Sequence, residues 1–398
     1  MMSPPLSSFL SVGRFLALLG TVLIALSDDP LEALRSAVDT FVGTTLPTVV
    51  TVGLVMIIES QMRLLGVVDL IGRLAGKIGV RLSLFAVPTL LGLIPATAGA
   101  KLSAGIVAAL GKEQKVSGRR LAAINFWFRH VSIFCNPLIP GVILAAAIAD
   151  MSPGEVVRWG VPMAVICSGF GAVFFLRGLR PLAKDGEGSP DAEKVETTDI
   201  VLRSGDSAAE RRGNVPFVLM LAAVVAAALI TPIPLPLLLS LPAGLGLFFL
   251  RDNVSLLKGA VKWRLMLELV CILWFAAAVR STGLLDSLAV YLENNFTNPL
   301  LAVVVASFIV SFVTGACLPA TSIVMPVAVS TFPGNDFVVY LTLAAGFASQ
   351  FVTPTHLCLV VSAEAFRTSA FRLAASMLIP LGLSFFLWWE LIYASPLP

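Results

Sequence analysis

The chain has 398 residues, of which 57% are hydrophobic and only 13% charged, with a mean hydropathy of +0.93, whereas soluble domains carry about 25% charged residues. That balance excludes a soluble protein and makes the bilayer the solvent for most of the chain. The formal net charge of +3 comes from basic residues scattered among loops, with no patch interleaved with aromatics, which excludes a nucleic-acid partner.

Apolar runs predict full crossings near 9–26, 42–62, 121–149, 158–177, 215–231, 233–250, 265–280, 338–364 and 373–392. The first is too long for a signal-peptide core and lacks a small-residue cleavage pattern, so it is read as a spanning helix. Two further runs, 83–110 and 299–330, are interrupted at Pro95-Ala96-Thr97-Ala98-Gly99 and at Gly315-Ala316-Cys317-Leu318-Pro319-Ala320-Thr321-Ser322. Pro and small polar residues inside an apolar run favour a re-entrant hairpin over a continuous helix. The expected fold is therefore an all-α integral membrane protein with about nine spanning helices plus two re-entrant hairpins. Residues 1–177 form a first repeat, 178–214 a cytoplasmic linker rich in Gly, Ser and charge, and 215–398 a second repeat of inverted topology.

The distribution of Lys and Arg supports this layout. The expected cytoplasmic stretches 63–81, 112–120, 177–212, 251–264 and 367–372 carry 21 of the 27 basic residues. Both flanks of the first hairpin are basic, whereas 281–298 and 331–337 around the second hold no Lys or Arg. The first hairpin thus enters from inside and the second from outside, placing the N-terminus in the cytoplasm and the C-terminus outside an inner, cytoplasmic membrane.

Sequence repetition points the same way. Arg63-Leu64-Leu65-Gly66-Val67-Val68-Asp69 returns as Arg280-Ser281-Thr282-Gly283-Leu284-Leu285-Asp286, with Arg, Gly and Asp at unchanged spacing. Pro95-Ala96-Thr97 matches Pro319-Ala320-Thr321, and Asn136-Pro137 lies opposite Thr353-Pro354, at the same offset that separates Arg63 from Arg280. Two oppositely inserted halves, each with a hairpin and a broken helix, form an architecture that exposes one midplane site alternately to either side.

A break at membrane depth frees backbone groups that a ligand or ion can satisfy. Helix N-termini at the tips suit a carboxylate, and unwound carbonyls suit Na+. The substrate candidates are Thr97, Lys101, Arg129, His130, Asn136, Thr321, Ser322, Thr353, Thr355 and His356, with Pro95, Ala96, Pro319 and Ala320 offering carbonyls for ion coupling. His130 and His356 are the only histidines and flank the two breaks, as anion contacts or proton relays. The competing structural readings are that Thr and Ser satisfy a local kink, that the histidines pack at interfaces, and that Lys101 and Arg129 snorkel. Glu59 lies four residues before Arg63 and reads as its helical partner; Glu268 and Glu364 are minor candidates for cation coupling, and Arg14 is unassigned. Trp127, Trp159, Trp263, Trp388 and Trp389 fall near expected boundaries and read as belt anchors. Neither His130 with Cys135 nor His356 with Cys358 has the ligand number or spacing of a metal site. The five cysteines read as buried small side chains, and no cofactor is expected beyond Na+ as a coupling ion.

The strings Asn125-Phe126-Trp127-Phe128-Arg129-His130, Asn136-Pro137-Leu138-Ile139-Pro140-Gly141 and Thr353-Pro354-Thr355-His356-Leu357-Cys358-Leu359 resemble an uncharacterised family of multi-helix membrane proteins, domain of unknown function 401. That family is placed in the ion-transporter superfamily with citrate, dicarboxylate and gluconate carriers. The resemblance covers roughly residues 40–392. It implies inverted repeats, tips and broken helices that hold substrate and coupling ion, a homodimer, and an elevator-like motion. Ser132 and Ile133 depart from its pattern, in which an acidic residue often follows the Arg-His pair. The expected function is secondary active transport of a small organic anion, a carboxylate or sugar acid, driven by Na+ or H+. A channel-like or accessory membrane protein is the alternative. An intramembrane enzyme is disfavoured because the sequence has no His-Glu-x-x-His string, no paired catalytic Asp in its spans and no Gly-x-Ser-x-Gly elbow.

Overall fold

The computed structural model describes residues 7–67, 70–71, 78–93, 99–113, 116–179, 208–231 and 233–394, and no strand occurs among them. Helices α1 (Ser7–Ala25) and α2 (Pro30–Leu64) open the chain. The first hairpin run is α3 (Val80–Gly92) and α4 (Gly99–Glu113). The first broken segment is α5 (Gly118–His130), a 3-10 turn at Val131–Phe134, and α6 (Pro140–Ala149). Then come α7 (Pro153–Val157), α8 (Gly160–Phe175), α9 (Ala208–Ile230), α10 (Leu235–Phe249), α11 (Trp263–Ser281) and α12 (Leu284–Asn295). The second hairpin run is α13 (Pro299–Thr314) and α14 (Cys317–Thr331), and the second broken segment is α15 (Asp336–Val352) and α16 (Leu357–Ala365). Helix α17 (Ala370–Ala394) closes the fold.

Among the described residues three helical stretches, Pro30–Leu64, Asp336–Ala365 and Ala370–Ile392, are long and apolar enough to cross a bilayer by length and composition alone. The hairpin arms have 13 to 16 residues, or about 20–24 Å at 1.5 Å per residue. They are shorter than the roughly 30 Å hydrocarbon core. Apolar side chains such as Val165, Phe174, Leu219, Leu237 and Val313 face outward. Polar groups meanwhile bridge helices inside: Gln61 Nε2 donates to the Ala243 carbonyl at 2.8 Å, and Asn125 Nδ2 to Ser362 Oγ at 3.0 Å. An apolar exterior around a hydrogen-bonded interior is the arrangement that lipid as solvent requires.

Several boundaries differ from the sequence reading. Asp29 caps α2 by accepting the Glu32 amide, with Pro30 in the first turn, so the expected loop before residue 42 is helical. The expected crossing at 158–177 begins only at Gly160, after the separate short helix α7. Residues 208–214 of the expected linker are the start of α9, while 180–207 lie outside the described residues. The belt reading fails for Trp127 and Trp388. Trp127 and Trp388 are wholly buried, their indole N–H groups donating to the carbonyls of Cys167 (2.9 Å) and Trp159 (3.0 Å), whereas Trp263 and Trp389 are exposed. A buried indole needs an acceptor, and bundle-interior carbonyls provide it.

Backbone geometry recurs at the repeat offset read from the sequence. Gly66 and Gly283 both have positive φ, as do Asp150 (55°) and Arg367 (52°), the two non-glycine residues of that kind among the described residues. The carbonyl of Ile139 accepts from Val142 and Ile143 to start α6, and that of His356 accepts from Leu359 and Val360 to start α16. The closing bonds match as well: Met151 to Ala146, and Thr368 to Ala363. Packing repeats too. In each half the first hairpin arm lies against the first helix of its own broken segment, α3 on α5 and α13 on α15. The second arm lies against the second piece of the other half's broken segment, α14 on α6 and α4 on α16.

The centre of this interlock is aromatic. Phe134 stacks on Phe351 with ring centroids 5.7 Å apart, and Trp127 meets the same Phe351 edge-on at 5.2 Å. Such contacts add about 0.5–1.5 kcal/mol each beyond burial, and they fix α5 and its 3-10 turn against α15.

Candidate functional site

Each broken segment is tied to its own hairpin through the residue before the breaking proline. Asn136 Nδ2 donates to the Leu93 carbonyl at 3.0 Å, and Asn136 Oδ1 accepts the Leu138 amide at 3.0 Å. In the second half Thr353 Oγ1 donates to the Phe312 carbonyl at 2.8 Å. Leu93 and Phe312 end the first arms α3 and α13, whose carbonyls have lost their helical donors.

Close approach is secured by glycine. A Cβ on Gly92 would stand 2.0 Å from the Arg129 carbonyl oxygen. Gly315 turns the second tip at φ 71°, where a Cβ would lie 3.0 Å from Thr355. Left-handed backbone and missing side chain together let α13 reverse within two residues. Ser311 Oγ lies 3.0 Å from the Ala316 carbonyl and 2.8 Å from that of Gly346, linking the tip to α15.

The turn therefore lies at Gly315–Ala316, upstream of Pro319. Pro319, Ala320, Thr321 and Ser322 stand in the first turns of α14 and are buried, not in unwound backbone as expected. Thr321 Oγ1 donates to the Cys317 carbonyl at 3.1 Å, and Ser322 Oγ to that of Pro319 at 2.8 Å. Gly141 of α6 brings Thr321 beside the first broken segment: its Cβ position is 3.8 Å from Thr321 Oγ1. Helix α14 starts without a side-chain cap, so its first amides are not closed by a local carboxylate or hydroxyl.

Arg129 does not snorkel. It is buried, and its Nη1 donates to the Leu91 carbonyl at 3.2 Å. Thr355 is exposed and exchanges a hydrogen bond with Thr353 at 2.8 Å. Lys101 falls in the first turn of α4, with its side chain outside the described residues. Pro95, Ala96 and Thr97 also lie outside them. Glu59 is buried and pairs with Arg63 at 3.5 Å, as the spacing predicts. Arg14 is exposed on α1, Glu268 is buried on α11, and Glu364 is exposed on α16.

The two histidines do meet, but not as repeat counterparts, since the position that answers His130 in the second half is Phe347. Their Nε2 atoms are 3.1 Å apart, and Cys358 joins them with all ligand atoms within 4.8 Å. The sequence reading absorbs Cys358 into the buried cysteines, and Asn125 and Ser311 into the spans. The repeat offset flags Cys358 and Ser311, whose counterparts are Gly141 and Ile94, but not Asn125, which answers to the polar Thr342. On the far side of α6 a cleft of about 380 Å³ opens between the halves, lined by Asp150, Glu155, Arg158, Asn335 and Asp336. There Arg158 pairs with Asp336 across the two halves.

An all-helical membrane protein built on two helical hairpins, each clasped by an interrupted helix of the other half, is the class that fold and site define. The chain belongs to the family described as protein of unknown function DUF401, which matches residues 8–187 and 214–394. Among solved structures it is similar to the YdaH transporter of Alcanivorax borkumensis, described as having an unusual topology, at 14% identity and TM-score 0.66 over 99% of both chains. It is also similar to MtrF of Neisseria gonorrhoeae, described within a class of antimetabolite efflux pumps, at 15% identity and TM-score 0.59, covering 96% of this chain and 93% of that one. No curated protein sequence matches the chain significantly.

Proposed function

We propose that this protein is a secondary active transporter that moves a small organic anion, a carboxylate or sugar acid, across the cytoplasmic membrane, driven by Na+ or H+. The observation that carries this reading is the reciprocal packing of hairpins and broken helices, α14 on α6 and α4 on α16. In this reading the halves are inverted repeats with the N-terminus inside and the C-terminus outside, the hairpins are re-entrant, and the protein works as a homodimer. Alternation of access follows when one hairpin parts from the opposite half's broken helix while the other stays closed. The likeness to a transporter and to an efflux pump over nearly the whole chain supports the same class.

The hydrogen bonds divide the ligand chemistry. The hydroxyls of Thr321, Ser322 and Thr353 spend their protons on backbone carbonyls, so what they offer a ligand is oxygen lone pairs, which suit Na+. An anion has to be held by N–H groups and cations: the uncapped amides of α14, Arg129 and Lys101. Purified protein in proteoliposomes is expected to show saturable uptake of radiolabelled carboxylates or sugar acids that accelerates with an imposed Na+ or proton gradient. Flux that rises linearly with concentration and ignores both gradients would favour the channel-like alternative.

A further inference from the structure

We infer that His130, His356 and Cys358 form a binding site for a zinc-class transition-metal ion at the junction of the two halves, distinct in chemistry from the solute and Na+ sites. The inference starts from the hydrogen bonds of the two rings. His130 Nδ1 is 2.8 Å from the Phe126 carbonyl, and His356 Nδ1 is 2.8 Å from the Gly315 carbonyl. A carbonyl only accepts, so each Nδ1 carries the hydrogen and each neutral ring keeps a bare lone pair on Nε2. Those two lone pairs face each other at 3.1 Å, with the rings 80° apart. Two bare acceptors at that distance repel unless a proton or a metal ion sits between them, and the Cys358 sulfur beside both favours the metal.

The spacing fits a metal. Two nitrogens at the usual 2.0–2.1 Å from one ion and 3.1 Å from each other subtend about 100° at that ion, close to tetrahedral. Cys358, within 4.8 Å of both ring atoms, supplies a soft sulfur ligand, and a His2Cys set selects zinc-class ions over Na+ or Mg2+. The Nδ1–H to carbonyl bonds are the outer-shell device that fixes a metal-binding tautomer and ring direction. Phe126 and Phe351 pack on the His130 ring with centroids at 4.2 and 5.9 Å and wall the site on that side, and a water or solute oxygen would complete the tetrahedron. Arg129 stands beside Cys358, so a dication there needs the thiolate charge and not merely a third neutral donor.

The duplicated architecture does not demand this cluster. The positions that answer His130, His356 and Cys358 in the opposite half hold Phe347, Ile139 and Gly141, none of which can bind a metal through its side chain. Linear spacing hides the site because its ligands come from opposite halves. A bound ion would join the end of α5, the start of α16 and, through Gly315, the tip of the second hairpin.

The test uses the full chain purified in detergent, stripped with chelator and titrated with Co2+ as a spectroscopic stand-in for Zn2+. One ion per chain is expected, with tetrahedral d–d bands and a thiolate-to-cobalt charge-transfer band, both lost on adding Zn2+. Cys358→Ser should abolish the charge-transfer band and weaken Co2+ binding at least tenfold, while Cys317→Ser keeps both; helical circular dichroism and a monodisperse elution profile verify folding of each variant. A folded wild type that gives no charge-transfer band at saturating Co2+, or a band that survives Cys358→Ser, overturns the assignment. Solute uptake by the metal-stripped, reconstituted protein is a separate readout, so either result leaves the transport reading to stand or fall by itself.

Discussion

At the first break Asn136 both donates to the Leu93 carbonyl and accepts the Leu138 amide, and the 3-10 turn leading to it is wholly buried. At the second, Thr353 donates to the Phe312 carbonyl, which also has Thr355 at 3.4 Å, and Thr355 and Leu357 are exposed. The same backbone problem is thus solved once by a single bidentate side chain in a sealed pocket, and once by a pair of hydroxyls at an open edge. The first break is over-determined and rigid, whereas the second has redundant, weaker ties. If one hairpin parts from its surroundings in the transport cycle proposed above, the contrast points to the second.

The largest expected effect tests the seal. Gly92→Ala places a methyl 2.0 Å from the Arg129 backbone oxygen, so α3 and α5 must separate, at a cost of about 3 kcal/mol. Gly315→Ala meets Thr355 at 3.0 Å and a left-handed φ, a penalty of about 1–2 kcal/mol. Thermal unfolding in detergent should rank them in that order, and a larger loss for Gly315→Ala would mean that the second tip is the rigid one. Next in size, Asn136→Ala leaves a carbonyl and an amide unpaired and should cost about 2 kcal/mol. Thr353→Val keeps the shape and leaves Phe312 with Thr355, at about 1 kcal/mol. Equal losses would erase the contrast.

How much of this was legible beforehand depends on the range of the interaction. The two breaks and the interruption of the second hairpin run are visible because Pro and small polar residues interrupt apolar runs, and Arg-x-x-Gly-x-x-Asp marks the repeat because its glycine has a positive φ in both halves. The location of the second turn at Gly315 rather than at Pro319 was harder to see, because proline is tolerated in a helix's first turn as well as in a break. Burial of Trp127 and Trp388, and the meeting of His130 with His356, depend on helices brought together from distant parts of the chain. No local pattern encodes which carbonyl an indole or imidazole will find.

A smaller difference lies where the two second pieces end. Ser152 accepts the Glu155 amide, and Glu155 Oε2 accepts the Ser152 amide at 2.7 Å, a capping box for α7. The corresponding positions of the second half are Ser369 and Arg372, which cannot close such a box. Ser152→Ala should cost about 1 kcal/mol, and Ser369→Ala less. The Ser152 backbone amide, followed by its hydroxyl, holds the Glu155 carboxyl below the usual carboxylate range. Its contribution is therefore complete above the unfolded value, about pH 4.3, and fades as pH falls through the lowered folded value. Wild type should lose stability relative to Glu155→Gln as pH falls below the unfolded value of about 4.3, a trend checked by melting temperature against pH; parallel curves would remove the box.

The smallest effect concerns the paired left-handed residues. Asp150 and Arg367 occupy equivalent positions at φ 55° and 52°, but aspartate enters that region readily and arginine does not. Replacing Arg367 by glycine removes about 1–2 kcal/mol of strain and adds about 0.5–1 kcal/mol of backbone entropy cost. The net gain should be somewhat under about 1 kcal/mol, while Asp150→Gly should be neutral or slightly destabilising. A rise in melting temperature for Arg367→Gly alone would show that the second half carries local strain the first has relieved. Equal responses would mean that the two chain reversals are energetically alike and that the asymmetry of the halves lies at their breaks and at the capping box.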